Sequence, residues 1–372
     1  MFSDLQIPSE LIPSDPRFGC GPSVIPMEHV DALREKGVHL LGTSHRKPAV
    51  KNLGSDIQSG LLKYFGLSDD YLVVFGNGGA TQAFDAIGLN FVKKKSAHFV
   101  TGEFSKKWWM SHDLIPWIET EKLEVEMGQG MTPRMIEGCD LIATTLNETS
   151  TGVIVDELPD LDENTLLAID ATSGGGQVAC DVKKVDIFFF GPQKVFASEG
   201  GLFIAILSPK ALKRLDEMGE SNKNYIPQMM NFQTLVDNSK KGQVYNTPSV
   251  STMFLLNEQI KKMNERTYEG VIAEGQRRAE LLYSWAEEKP YLKPFVEEEK
   301  YRSTVVATID VDEKIPADEL VKALESQKIV YDINSYRKLG RNQFRIAMFY
   351  NIAYSDLEKL TKLLSHAIES KL

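Results

Sequence analysis

Leu166-Leu167-Ala168-Ile169-Asp170-Ala171-Thr172-Ser173 is an apolar run that stops on a carboxylate, and Asp186-Ile187-Phe188-Phe189-Phe190-Gly191-Pro192-Gln193-Lys194 follows it with a lysine at its end. Runs without polar alternation suit strands buried on both faces. Shorter β-rich runs at 71–75, 98–101, 141–146 and 202–207 surround them, and the segments 79–92 and 105–117 have helical length and spacing. Such alternation predicts an α/β fold, with a large domain whose mainly parallel sheet is flanked by helices. In sheets of this kind ligands bind beyond the carboxyl ends of the strands, so the polar residues found there are the candidates for chemistry.

Beyond Pro248 the pattern changes. Met253, Leu256, Ile260 and Met263 recur at helical spacing, and a second helical stretch covers about 269–287. The order then reads strand (303–309), helix (316–326), strand (329–333), strand (344–349) and helix (355–370). This predicts a smaller C-terminal α+β domain. The expected division is an N-terminal segment 1–15 packing on the small domain, a large domain 16–260 and a small domain 261–372. A chain of 372 residues suits roughly two domains.

The charge balance narrows the partners. The net charge of −10 repels nucleic acid phosphates and anionic membrane surfaces, while leaving room for a small anion held by clustered arginines in one cleft. Cys20, Cys139 and Cys180 lack the spacing of a metal site, so no metal is expected, and an odd cysteine count suits a reducing cytoplasm. The N-terminus has no basic start followed by an apolar stretch, and no apolar run approaches 18 residues. The expectation is a cytoplasmic chain, neither exported nor membrane-spanning.

Three strand ends carry the chemistry. Residues 71–75 lead into Gly76-Asn77-Gly78-Gly79-Ala80-Thr81 and then a helix. The first N–H groups of such a helix make an anion seat, although a turn that binds nothing would read the same way. The spacing matches neither the dinucleotide fingerprint nor a P-loop, and a monophosphate fits better. Asp170 is costly to bury unless a cation or donor meets it, and capping a helix is the plainer alternative. Lys194, 24 residues later, would alone pass for a surface charge. Together, a lysine that can form a Schiff base, an aspartate for a pyridinium nitrogen and a phosphate seat are what a protein must supply to pyridoxal phosphate.

With these parts in place the chain resembles the phosphoserine aminotransferases, a family of fold-type I pyridoxal phosphate enzymes, and most of all their actinobacterial form. The resemblance runs nearly end to end. It rests on Phe18-Gly19-Cys20-Gly21-Pro22-Ser23, Gly42-Thr43-Ser44-His45-Arg46, the glycine-rich segment ending at Thr81, Gly102-Glu103-Phe104, Asn147-Glu148-Thr149, Asp170-Ala171-Thr172-Ser173, Pro192-Gln193-Lys194, Tyr245-Asn246-Thr247-Pro248, and Tyr336-Arg337 through Phe344-Arg345.

The resemblance implies that Lys194 is the Schiff-base lysine and Asp170 the pyridinium partner. Gly79, Ala80 and Thr81 would hold the cofactor phosphate, Thr149 would bond near the ring oxygen, and Gln193 would sit beside the lysine. Phe104 stands where many relatives stack a Trp. Asn246 and Thr247 match a segment that reaches the neighbouring subunit's cofactor, which implies a homodimer with shared sites. Arg345, alone in an apolar strand, would pair bidentately with the substrate α-carboxylate. His45, Arg46 and Arg337 resemble the groups that read the substrate phosphate. The implied reaction moves the amino group of L-glutamate to 3-phosphohydroxypyruvate, giving O-phospho-L-serine and 2-oxoglutarate in serine biosynthesis; whether the vitamin B6 pathway substrate, one carbon longer, is also used stays open. The alternatives are another fold-type I enzyme, such as a serine or alanine–glyoxylate aminotransferase or a cysteine desulfurase, and a pyridoxal phosphate-binding protein without turnover.

Overall fold

Twelve strands and ten α-helices organise a computed structural model that describes residues 2, 4–221 and 224–372. The strands are β1 (Leu72–Gly78), β2 (Lys95–Val100), β3 (Glu119–Glu124), β4 (Leu141–Thr145), β5 (Asn147–Glu148), β6 (Val153–Ile154), β7 (Leu166–Asp170), β8 (Ile187–Phe190), β9 (Gly201–Leu207), β10 (Leu292–Pro294), β11 (Val306–Val311) and β12 (Gln343–Ala347). The main sheet has the order β1-β9-β8-β7-β4-β2-β3. β8, β7, β4, β2 and β3 run parallel, and β9 opposes both its neighbours, β8 and β1. β1 therefore points the same way as the parallel set. The carboxyl ends of β1, β2, β4, β7 and β8 open on one edge, and the register Thr145↔Asp170 and Asp170↔Phe189 sets three of them level.

The helices are α1 (Met27–Ala32), α2 (Pro48–Tyr64), α3 (Ala80–Phe91), α4 (Glu103–Asp113), α5 (Pro209–Ser221), α6 (Phe232–Ser239), α7 (Val250–Arg266), α8 (Tyr268–Glu288), α9 (Ala317–Ser326) and α10 (Tyr354–Glu369). Successive strand residues face opposite ways, so both faces need apolar cover. Phe188 and Phe190 join one apolar cluster with Ile57 and Leu61 of α2 and Leu256 and Ile260 of α7. Ile187 and Phe189 join the other with Phe84 of α3, Trp108 of α4 and Phe232 of α6. The unbroken apolar run of β8 is the signature of that two-sided burial.

β10, β11 and β12 form a second, antiparallel sheet. Its buried Val306, Ile309, Phe344 and Ile346 continue the first cluster into Leu360 and Leu364 of α10. The carboxylate of Asp356 in α10 accepts the N–H groups of Ser14 (2.7 Å) and Asp15 (3.1 Å), and Lys359 donates to the Ile12 carbonyl (3.0 Å). Of the N-terminal segment 1–15, residues 1 and 3 lie outside the described residues.

Two sequence expectations need correction. Residues 329–333 were expected as a strand, but they pair only through isolated bridges, Tyr331 with Arg17 and the adjacent Asn334 with Phe344. Left-handed backbone at Lys328 (φ 61°) and Asp332 (φ 64°) breaks the extended geometry a ladder needs. The strand expected at 303–309 starts at Val306, because Ser303 Oγ takes the N–H groups of Val305 (3.0 Å) and Val306 (2.8 Å) in a turn. No helix among the described residues is long and apolar enough to cross a membrane.

Candidate active site

β1 ends in Gly78, with φ 104°, and α3 starts two residues later. Gln82 and Ala83 send their N–H groups back to the Gly79 carbonyl (3.0 and 3.1 Å). The earlier N–H groups of the first turn have no intrahelical partner and, with the helix dipole, favour an anion. A Cβ on Gly79 would meet nothing within 4 Å, so the space above this turn is open. Gly79, Ala80 and Thr81 line a cavity of ≈ 400 Å³ whose other walls include Phe104, Asn147, Thr149, Asp170, Ser173, Gln193, Lys194 and Arg345.

Asp170 closes β7 and is buried (6 % exposed), with Thr172 donating to its Oδ1 through both N–H (2.9 Å) and hydroxyl (2.5 Å). Burial pushes its carboxyl upward, against the lowering pull of the Thr172 bonds and the Lys194 charge. Among the described residues, Lys194 is the cation whose charge acts on it, and it does so without an ion-pair contact. Lys194, on the turn after β8, is buried (7 % exposed), and its Nζ donates to Thr149 Oγ1 (2.9 Å) and Ser173 Oγ (2.7 Å). Burial lowers its amine to about 8, against the raising effect of Asp170, so a neutral amine is accessible near physiological pH. Its Nζ lies 5.4 Å from the centroid of the Phe104 ring, which is tilted against Tyr336 at 5.9 Å.

A second cavity of ≈ 430 Å³ shares Cys20, Gly21, Pro22, Tyr336 and Arg345 with the first and adds Arg337. Arg345 sits in β12, donates from Nη1 to the Thr149 carbonyl (3.3 Å) and keeps a buried Nε without a partner among the described residues. Of the cations in the 337–345 stretch, Lys338 pairs with Glu103 (2.7 Å) and Arg341 with Asp310 (2.5 Å), while Arg337 lines the second cavity. The thiol of Cys20 is pushed up by burial, opposite to the low-pKa thiolate a cysteine desulfurase needs.

The structure thus brings together Gly79, Ala80, Thr81, Phe104, Thr149, Asp170, Gln193, Lys194, Arg337 and Arg345 around two adjoining cavities. His45, Arg46, Asn246 and Thr247 line neither. Arg46, Asn246 and Thr247 are exposed, whereas His45 is buried with Nε2 unpartnered and its imidazole lowered by burial and then by the Arg46 charge. Among the residues that line the first cavity, the sequence reading missed four with oxygen- or nitrogen-bearing polar side chains, Asn147, Thr172, Ser173 and Tyr336, as site groups. Their motifs were noticed, but nothing in a linear sequence says which polar side chain of a motif faces the cavity.

The family model for class-V aminotransferases matches residues 18–332. The chain belongs to the class-V aminotransferases. It is 45% identical over 358 residues, covering 95% of each chain, to the phosphoserine aminotransferase of Corynebacterium glutamicum (strain R). It is 41% identical, over 99% of this chain and 100% of the relative, to that of a Nocardioides species. Among solved structures, a phosphoserine aminotransferase from Cytophaga hutchinsonii superposes with a TM-score of 0.85 at 23% identity, covering 96% of this chain and 99% of its own. An alanine–glyoxylate aminotransferase from Nostoc gives a TM-score of 0.80 at 18% identity, with 98% and 97% covered, so the fold alone does not separate these activities.

As a class-V aminotransferase the chain takes pyridoxal phosphate, and its residues fit that group. Both amide atoms of Asn147, Oε1 of Gln193 and Nε of Arg345 are buried without partners among the described residues, and all three residues line the cavity that holds Lys194. A carboxyl buried with no salt-bridge cation among the described residues, a depressed lysine and an open helix N-terminus complete a donor and acceptor set complementary to an aldehyde, a pyridinium and a phosphate.

Proposed function

We propose that this aminotransferase moves the amino group of L-glutamate to 3-phosphohydroxypyruvate, yielding O-phospho-L-serine and 2-oxoglutarate in serine biosynthesis. The observation that carries the reading is Arg345, whose buried Nε lacks a partner in the cavity that contains Lys194 and Asp170. Likeness to phosphoserine aminotransferases at 45% and 41% identity over nearly the whole chain supports the substrate. The one-carbon-longer phosphorylated hydroxy-keto acid of vitamin B6 synthesis carries the same two anions and would use the same groups.

Pyridoxal phosphate, when bound, would supply the aldehyde through which the amino group is carried and a ring that takes up the electron pair left on the α-carbon when its proton is removed. Gly79, Ala80 and Thr81 would hold its phosphate, Phe104 would cover one ring face, Thr149 and Gln193 would bond its polar edge, and Asp170 would pair with the pyridinium nitrogen. Lys194 Nζ, neutral in an appreciable fraction because burial holds it at about 8, takes the α-proton of the donor and returns a proton to the acceptor. Arg345 binds the α-carboxylate of every substrate, and Arg337 with His45 and Arg46 reads the phosphate or the glutamate side-chain carboxylate.

The site would be shared in a homodimer. His45, Arg46, Asn246 and Thr247 line neither cavity of their own chain, which is the arrangement expected if they serve the other protomer. The three free cysteines are consistent with work in the cytoplasm. The test is to add L-glutamate to the holoenzyme while recording the visible spectrum, then 3-phosphohydroxypyruvate while assaying O-phosphoserine. A spectral change reversed by the keto acid, with product formed, supports the reading. A glutamate-insensitive spectrum refutes it.

A further inference from the structure

Glu148 is completely buried (0 % exposed) beside the cofactor cavity, and the chemistry above gives it no task. It ends β5, the two-residue strand that pairs with β6 across the turn containing Thr149. Each partner of its side chain donates. Oε2 accepts the N–H of Phe104 (3.1 Å), the N–H of Ser105 (2.9 Å) and the Ser105 hydroxyl (2.8 Å). Oε1 accepts the N–H of Phe104 (3.2 Å), the N–H of Ser150 (3.2 Å) and the Ser150 hydroxyl (2.7 Å). Ser150 Oγ accepts in turn the N–H of Glu103 (3.0 Å).

The first three N–H groups of α4 thus end on the Glu148–Ser150 turn rather than in water. A carboxylate at a helix N-terminus is favoured by the dipole and by charge-assisted bonds that strengthen in a buried setting. The approach is close enough to require glycine before the helix: a Cβ on Gly102 would lie 2.4 Å from Cγ of Glu148 and 2.5 Å from Oγ of Ser150. Two groups that face the cavity hang on this joint. Phe104, second residue of α4, carries the ring near Lys194, and Thr149, next to Glu148, accepts from Lys194 Nζ and offers its carbonyl to Arg345. The charge of Glu148 also acts on Lys194 and Asp170, raising both, as the weakest named cause in each case.

We propose that Glu148 is a positioning residue of the cofactor site, its carboxylate clamping the first turn of α4 to the Thr149 turn so that the Phe104 ring is held in place over the cofactor. The inference rests on the pyridoxal phosphate reading and deepens it. Glu148→Gln keeps the shape but places an amide NH2 against N–H donors, so one side of the clamp opens. If the residue acts through Phe104, its effect must disappear once that ring is gone.

The experiment is a double-mutant cycle on the full-length protein, using wild type, Glu148→Gln, Phe104→Leu and the double variant. Pyridoxal phosphate affinity and visible circular dichroism of the bound cofactor are recorded beside far-ultraviolet spectra and melting temperatures. Wild type is measured first; failure to bind pyridoxal phosphate would refute the cofactor reading itself. With wild type binding, Glu148→Gln should fold, bind about tenfold more weakly and lose dichroic intensity, an effect inside the range of coupled neighbours. The double variant should bind like Phe104→Leu. A lowered melting temperature with unchanged affinity and dichroism would reduce Glu148 to a structural residue and overturn the proposal, as would losses that multiply in the double variant. Should Glu148→Gln not fold, Ser150→Ala, which removes the side-chain bond to Oε1 and the acceptor of the Glu103 N–H, takes its place in the same cycle with the same criteria.

Discussion

A Cβ built on Gly21 would lie 2.5 Å from Cε of Lys194, so the missing side chain is what lets the lysine reach Thr149 and Ser173. Gly21 also has φ 137°, a region that residues with a side chain rarely adopt. The Gly-Pro turn near the N-terminus therefore shapes the cavity that holds Lys194, although it lies far from that residue in sequence. Gly21→Ala should fold with its helical spectrum intact and lose about 5- to 150-fold in pyridoxal phosphate affinity, since displacing a packed side chain costs roughly 1–3 kcal/mol. Equilibrium dialysis checks it. Wild-type affinity would mean that Lys194 tolerates a different path.

Asp170→Asn should leave the fold unchanged and remove most turnover. The amide retains an acceptor for Thr172 but carries no charge to balance a protonated ring nitrogen. Steady-state rates with L-glutamate as donor decide the matter. Turnover at the wild-type rate would make Asp170 a turn-forming residue only.

Subunit exchange tests whether the site is shared between two protomers. Lys194→Ala and Asn246→Ala/Thr247→Ala parents, each inactive, should regain activity when mixed, because one site of each heterodimer is intact. Mixing demonstrated by mass with no recovered activity would place Asn246 and Thr247 at their own chain's site.

Stability should fall on mild acidification. His112 is buried among Trp108, His98, Ser96 and the Phe84 carbonyl, and burial lowers its imidazole from 6.5 to about 4. Its pKa is therefore lower folded than unfolded, and between those values the unfolded chain binds more protons. Its share of stability is intact above pH 6.5, declines as pH falls to about 4 and is constant below, worth up to about 3 kcal/mol at 1.36 kcal/mol per unit. His98, lowered by burial and by His112, adds in the same direction. On acidification from pH 7 to 4 the melting temperature should fall less steeply for His112→Gln than for wild type; equal slopes would contradict this.

What the sequence revealed follows from burial. β7 and β8 are legible because both faces of each are covered, which leaves a run of apolar residues without alternation. β3, Glu-Thr-Glu-Lys-Leu-Glu, is an edge strand with a half-exposed, charged surface, and it escaped notice for that reason. The reversal of β9 left no compositional trace either, since strand direction is set by the connections. In the site, Lys194 and Asp170 stood out as charges at the ends of apolar strands. Glu148 did not, because its meaning lies in bonds to a helix more than 40 residues earlier in the chain. Asn246 and Thr247 gained a role only from family resemblance, since no feature of one chain points to a neighbour's site.

The specificity constant for the amino acceptor is the most direct test of the account. A chain of net charge −10 that takes a doubly anionic substrate must concentrate positive charge locally, and Arg345, Arg337 and Arg46 are the groups assigned to that task, with His45, its imidazole lowered by burial, as a hydrogen-bonding group beside them. With L-glutamate as donor, kcat/KM for 3-phosphohydroxypyruvate should exceed that for unphosphorylated hydroxypyruvate by roughly 30-fold to several thousand-fold, the equivalent of about 2–5 kcal/mol for one buried charge pair. Arg46→Ala should close most of that gap while sparing the unphosphorylated acceptor, and Arg345→Ala should weaken both. Equal specificity constants for the two acceptors in the wild-type enzyme would contradict the assignment and identify a general small-substrate aminotransferase.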